Sequence, residues 1–322
     1  MSHLSSPIEA DPRRVALGLA WAAVGLLVFS GWFAVTRLVV TGDLRVWDVV
    51  ALRFGGGAIV LAPALLWQGR RLSRSAWGEG LLLSLLWGAP FVLLVAAGLR
   101  LTSAADASSV TPGLMPVFAG GLAWALSGER PAPRRLAGYG VIVLGVTGLI
   151  VAGAEGTAGP AGLACLVLAA AGWAIYTLRL GRSRLDPLQA AAMVCLWSAA
   201  LFLPPYVLLG VSQLQNASIG ELSFQVFYQG ALMSGLAIYA FNRAVALLGP
   251  VAAAAITALI PVMATLIAVA VLGEAPPPLG WIAIAAVAAG VALAASPARA
   301  PRPIPLPTSV PAWAGRIGKD LP

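Results

Sequence analysis

The chain has 322 residues, 60% of them hydrophobic and 10% charged, with a net charge of +8 and a mean hydropathy of +0.90. A soluble domain carries about 25% charged residues, so this chain cannot cover a water-facing surface and a soluble globular fold is excluded. Ten apolar runs, at 16–40, 47–67, 78–100, 104–127, 136–153, 160–180, 188–210, 222–248, 251–272 and 279–296, read instead as membrane-spanning helices. They are continuously apolar and do not alternate, which argues against a β-barrel.

Residues 1–14 are polar, contain Pro7 and Pro12, and read as a short N-terminal tail. The first apolar run is longer than a signal-peptide core and has no small-residue cleavage site after it, so it is taken as a retained helix. It ends in Ser30-Gly31-Trp32-Phe33-Ala34-Val35-Thr36-Arg37. Span 2 holds Arg53, the one cation clearly inside a span. Two readings stay open for it: an arginine reaching to the outer interface, or an internal charge holding the carboxylate of a substrate, of Asp48 or of Glu274. In span 3, Trp87 and Phe91 lie four apart around Pro90, whose ring frees a carbonyl inside the helix. In span 4, Thr111 and Met115 sit one turn apart beside Pro112 and Pro116, and Asp106 follows Ser103 by three residues, the spacing of a capping box.

From Ala107 to Pro133 the chain reads ASSVTPGLMPVFAGGLAWALSGERPAP, and 145 residues later, from Ala252 to Pro278, AAAAITALIPVMATLIAVAVLGEAPPP, with 11 of 27 positions identical. Pro116-Val117 falls on Pro261-Val262 and Gly128-Glu129 on Gly273-Glu274. Gly172-Trp173 and Thr177 of span 6 repeat Gly31-Trp32 and Thr36 of span 1 at an offset of 141. The chain therefore holds two copies of one five-span unit, 15–153 and 160–296. An odd span number obliges the second copy to enter the membrane from the opposite side. The loop after Glu129 carries Arg130, Arg134 and Arg135, whereas Glu274–Leu279 carries no basic residue. With the N-terminus placed in the cytoplasm, 16 of the 20 Lys and Arg residues fall in cytoplasmic segments, and only Arg37, Arg45 and Arg100 fall outside. The expected fold is all-α and integral to the membrane, with ten transmembrane helices as two inverted five-helix repeats and both termini cytoplasmic. The basic charge thus records topology and implies no nucleic-acid partner.

Residues 297–322 are proline-rich and expected as a disordered cytoplasmic tail. Cys165 and Cys195 both fall within apolar spans and read as small buried hydrophobes, so neither a disulfide framework nor a metal site is suggested. No cofactor is indicated.

Inverted repeats of this kind build secondary transporters, with the site near mid-membrane at the repeat interface. Polar and aromatic faces that lipid would penalise mark the candidate cavity: Trp32 in span 1, Trp87 and Phe91 in span 3, Thr111 and Met115 in span 4, Trp173 and Tyr176 in span 6, Tyr239 and Asn242 in span 8. For the tryptophans the competing reading is an interfacial belt or plain packing. Glu129 and Glu274 read either as helix-corner carboxylates capping the following span or as gating groups, Glu274 then having to reach Arg37, Arg53 or Arg100. The only histidine is His3, and no carboxylate lies at the centre of a span, so a buried proton relay is unsupported and facilitated diffusion fits at least as well.

Four stretches together resemble the EamA-type transporters of the drug/metabolite transporter superfamily: Ala51-Leu52-Arg53-Phe54, Gly172-Trp173-Ala174-Ile175-Tyr176, Gly235-Leu236-Ala237-Ile238-Tyr239 and the two Pro-Val … Gly-Glu segments. The resemblance covers residues 15–296. It departs from the family pattern in span 1, where Ser30 rather than a tryptophan precedes Gly31. The resemblance implies a ten-helix inverted-repeat fold in the inner membrane and the transport of small metabolites, often efflux of amino acids or related compounds, through a central cavity. An integral-membrane enzyme is the rival class, disfavoured because the spans offer no histidine, aspartate pair, lysine or zinc-ligand spacing and hence no catalytic residue. A structural or regulatory membrane protein is the third.

Overall fold

A computed structural model describes residues 12–68, 72–128, 130–153, 159–248 and 259–295. Among them every regular element is helical: α1 (Pro12–Thr41), α2 (Val46–Gln68), α3 (Arg74–Trp87), α4 (Ala89–Leu101), α5 (Ala104–Ser127), α6 (Pro133–Gly153), α7 (Pro160–Leu180) and α8 (Pro187–Leu208). After a 3₁₀ turn at Leu214–Asn216 come α9 (Ile219–Leu248), α10 (Ile260–Leu272) and α11 (Pro278–Ala295). Eight helical stretches are long and apolar enough to cross a membrane, counting α3 and α4 as one, and α10 and α11 are shorter apolar helices. The tail 297–322, Glu129, and residues 251–258 of the ninth expected span lie outside the described residues.

Local chemistry sets the helix ends. Ser103 caps α5 in a reciprocal box with Asp106, as the spacing predicts, and Asp186 caps α8 in the same way with Gln189. The duplicated Gly-Glu-x-Pro-x-Pro segment is a corner. Gly128 and Gly273 close α5 and α10 in the left-handed conformation at φ 73° and 68°, which a side chain would oppose. Pro133 and Pro278 then open α6 and α11 at a position that needs no N–H.

Two elements differ from the sequence reading. Helix α1 begins at Pro12, inside the stretch assigned to the tail. The single third span expected at 78–100 is two helices broken at Gly88, two residues before Pro90. At the break the Ala89 N–H donates to Ser198 Oγ of α8 at 3.1 Å, so the freed backbone donor is satisfied by a side chain. The third helix of the second repeat, α9, is irregular too: from Val226 to Ala237 it is wound as a π-helix.

Packing is reciprocal between the repeats. Helix α1 lies against α9 and α10, and its counterpart α7 lies against α3–α4 and α5; α6 pairs with α11 and α2 with α8. The end of α1 meets the end of α10 through Arg37 and Glu274, and Gly159 at the start of α7 hydrogen-bonds Leu101 at the end of α4. At the opposite face the start of α1 meets the end of α9 (Arg14 to Ala246 O) and the end of α7 meets the start of α3 (Arg179 to Glu79). Equivalent helices α1 and α7 therefore run in opposite directions, and the repeat is inverted.

Candidate functional site

The aromatic residues read from spans 3 and 6 come together at the repeat interface. Trp87, the last residue of α3, is buried and stacks on Trp173 (centroids 5.6 Å apart, 25° between planes) and on Tyr176 (4.7 Å, 28°) of α7. Phe91 meets Trp173 edge-on at 6.1 Å. Phe29 of α1 and Phe241 of α9 complete the cluster, each lying within ring contact of Trp87. Trp87 Nε1 and Trp173 Nε1 are buried without a hydrogen-bond partner. The Tyr176 hydroxyl faces the side chain of Asn242, whose Nδ2 donates to Pro187 O at 3.1 Å. Buried polar atoms are nearly always paired in native structures, so two unpaired indole N–H groups among aromatic faces make this cluster the candidate site.

Trp32 belongs to a second, more polar niche between α1, α2 and the π-helical part of α9. Its Nε1 donates to Gln229 Oε1 at 2.9 Å, and Gln229 Nε2 turns to Thr36 Oγ1 and Gln225 Oε1, both at 3.4 Å. Over the Trp32 ring, 4.7 Å from its centroid, lies the guanidinium of Arg53, with the Phe54 ring at 5.5 Å. Arg53 is 0% exposed, so its guanidinium lies inside the protein. Neither suggested carboxylate holds it. Asp48 accepts from Arg45 N–H, Gln213 N–H and the Tyr206 hydroxyl. Glu274 is bound to Arg37. Trp32 and Trp173, equivalent in the repeat, therefore occupy different surroundings, and no ring contact joins Trp32 to the Trp87 stack among the described residues.

The remaining candidates disperse. The Thr111 hydroxyl leans on Leu166 O of α7 at 3.5 Å, and Met115 is buried in the same apolar core. Tyr239 turns from Asn242 and packs edge-on to Trp21 of α1 at 5.4 Å. Glu274 pairs with Arg37 at 2.8 Å and accepts from Ala104 N–H at 3.2 Å, so it caps α5 of the other repeat rather than the span that follows it. Arg37 also donates to Leu99 O. These groups border a cleft of about 310 Å³ that also reaches Asp106, Leu149 and Pro276. Glu129 lies outside the described residues.

Phe29, Phe241, Gln225 and Gln229 escaped the sequence reading. The two phenylalanines carry no signal in helices that are apolar all round. The two glutamines did carry one, since an amide inside an apolar span needs a partner or a cavity.

A family model described as the EamA-like transporter family matches the chain twice, over residues 16–151 and 160–296. A probable terminal-alkyne amino-acid exporter of Streptantibioticus cattleyicolor is 32% identical over 192 residues, which cover 59% of this chain and 63% of that protein. An uncharacterized protein of Pseudomonas aeruginosa is 34% identical over 180 residues, 55% of this chain and 60% of its own length. The match thus spans less than two thirds of either relative's length. One crystal structure aligns with a TM-score of 0.61 at 24% identity, over 87% of this chain and 96% of its own, a likeness of fold alone.

Proposed function

The chain belongs to the EamA-like transporter family, a multi-pass membrane transporter, and on that premise we propose that it exports a small amino acid or a related metabolite by alternating access. The two inverted five-helix repeats rock about the Trp87–Trp173–Tyr176 stack and expose it to one face and then to the other. Ten spans and cytoplasmic termini complete the reading. It is supported by the arginine-rich face formed by Arg14, Arg134, Arg135, Arg179, Arg182 and Arg184, against Arg37, Arg45 and Arg100 at the other.

The observation that carries the proposal is the stack itself. It draws Trp87 and Phe29 from one repeat and Trp173, Tyr176 and Phe241 from the other, and it holds two buried indole N–H groups without a hydrogen-bond partner. A ligand with a slim apolar side chain and a polar head suits such a place: its side chain packs on the aromatic faces as the rocking repeats part them, and the two indole N–H groups line its path. The Streptantibioticus cattleyicolor relative is described as a probable exporter of terminal-alkyne amino acids, and a side chain of that shape fits this chemistry.

The test is counterflow in proteoliposomes holding the purified full chain, over a panel of labelled amino acids that includes L-propargylglycine, with and without a pH gradient. Saturable uptake above that of protein-free vesicles is expected for at least one apolar amino acid. Flux at the protein-free level across the whole panel would refute the proposal.

A further inference from the structure

We propose that Arg53 is the anion-binding residue of the transport path and takes the carboxylate of the substrate. The inference rests on the transport reading and adds to it the chemical class of the group that the substrate must carry. All three guanidinium nitrogens, Nε, Nη1 and Nη2, are buried without a hydrogen-bond partner. An arginine that serves a membrane protein structurally is held by a carboxylate or by backbone carbonyls. This one has neither. The two acids within its reach in the sequence, Asp48 and Glu274, are fully engaged elsewhere. The thiol of Cys195 lies near enough to interact with it electrostatically but turns to Ser234 O.

The niche is built to hold the charge in place without neutralising it. Trp32 and Phe54 offer ring faces to the guanidinium. The Ser234 hydroxyl lies 3.0 Å from both Arg53 O and Gln229 O and shares its one proton between them, tying the two backbones together. Gly56 and Gly230 meet with so little room that a Cβ on either would lie 2.8–2.9 Å from the other's Cα. Arg53 thus sits at a tight crossing of α2 on α9, one helix from each repeat, where inverted-repeat transporters place their ligands. By helix rise it lies roughly 10 Å in from the start of α2.

Charge and shape select the ligand. The niche offers one cation and otherwise the neutral amides of Gln225 and Gln229 and the Thr36 hydroxyl. That balance suits a monoanion and not a phosphate dianion. The planar fork of a guanidinium matches the two oxygens of a carboxylate. Binding supplies the counter-charge that the protein withholds, so the loaded carrier is the better satisfied one.

The test is the melting temperature of the purified full chain, read with 4-pentynoate, L-propargylglycine, propargylglycinamide and sodium chloride as probes. The two carboxylates are expected to raise it saturably, whereas the amide and chloride leave it unchanged. In Arg53→Met the apparent affinity for 4-pentynoate should fall by about 30-fold or more, the cost of removing one partner of a buried charge pair. The ligand-free variant should melt no lower than wild type, because it loses an unpaired buried charge. Arg53→Lys keeps the charge without the fork and should bind measurably but more weakly.

The assignment is overturned by any of four results: no shift with either carboxylate, equal shifts with the amide or chloride, undiminished binding in Arg53→Met and Arg53→Lys, or a ligand-free Arg53→Met that melts well below wild type. Flux is read separately. Wild-type flux with carboxylate binding that ignores Arg53 removes Arg53 alone, and Arg53-dependent binding without flux removes the transport reading alone.

Discussion

Trp87 is the residue on which the candidate site converges, since Phe29, Phe91, Trp173, Tyr176 and Phe241 all meet its ring. Trp87→Ala should cost about 3–5 kcal/mol of stability, the range for truncating a buried aromatic, and show as a lower melting temperature; an unchanged value would mean that the rings are not packed as described. Trp173 has fewer neighbours and a free indole N–H. Trp173→Ala is expected to leave folded protein, judged by gel filtration, while lowering flux about tenfold, the equivalent of roughly 1.4 kcal/mol of lost ligand contact; unaltered flux would remove Trp173 from the site. Much of this cluster was legible in the sequence, because Trp173 and Tyr176 share a helix face and Trp87 and Phe91 flank Pro90. Phe29 and Phe241 were not, since hydropathy cannot separate a phenylalanine that faces lipid from one that faces a partner ring. Tyr239 shows the opposite error. It shares a face with Asn242 by spacing, yet the two point to different neighbours, α1 for Tyr239 and α8 for Asn242.

Among the elements, the third helix of each repeat is the irregular one, broken at Gly88 in the first and underwound into a π-helix from Val226 to Ala237 in the second. Both departures border the site, as broken and π-wound helices commonly do. Pro90 marked freed backbone in the first, though the span was expected to be continuous. The second has no proline, and it lies where Gly230 closely approaches Gly56. Gly88 tolerates no side chain, for a Cβ there would lie 2.1 Å from Ser198 Oγ and 2.3 Å from Ser84 O. Gly88→Ala should therefore destabilise by about 1–3 kcal/mol, as overpacking does. A denaturant midpoint equal to that of wild type would show that the break can move. The Glu274 corner follows the same lesson. Its place after a helix-ending glycine was readable and Arg37 was one of three arginines named for it, but the choice of Arg37 and the contact with Ala104, 237 and 170 residues away in the chain, are made only by the folded chain.

For the whole molecule, the duplication was the most informative feature of the sequence, because five spans per copy and the missing arginines after Glu274 already required opposed orientations. The reciprocal packing of α1 on α9 and α10, and of α7 on α3–α4 and α5, follows from that symmetry. Alternating access makes a further demand: the repeats must part at one face while they meet at the other. Arg37 and Glu274, 2.8 Å apart, hold them together at the arginine-poor face, and Arg179 and Glu79, also at 2.8 Å, at the arginine-rich one. The most direct measurement joins Arg37→Cys to Glu274→Cys, in a chain with Cys165 and Cys195 replaced by serine, using a short bis-methanethiosulfonate reagent that a reductant removes. If the repeats rock, amino-acid flux in proteoliposomes stops when the link forms and returns when it is cleaved. Flux that continues through the linked protein would contradict the account.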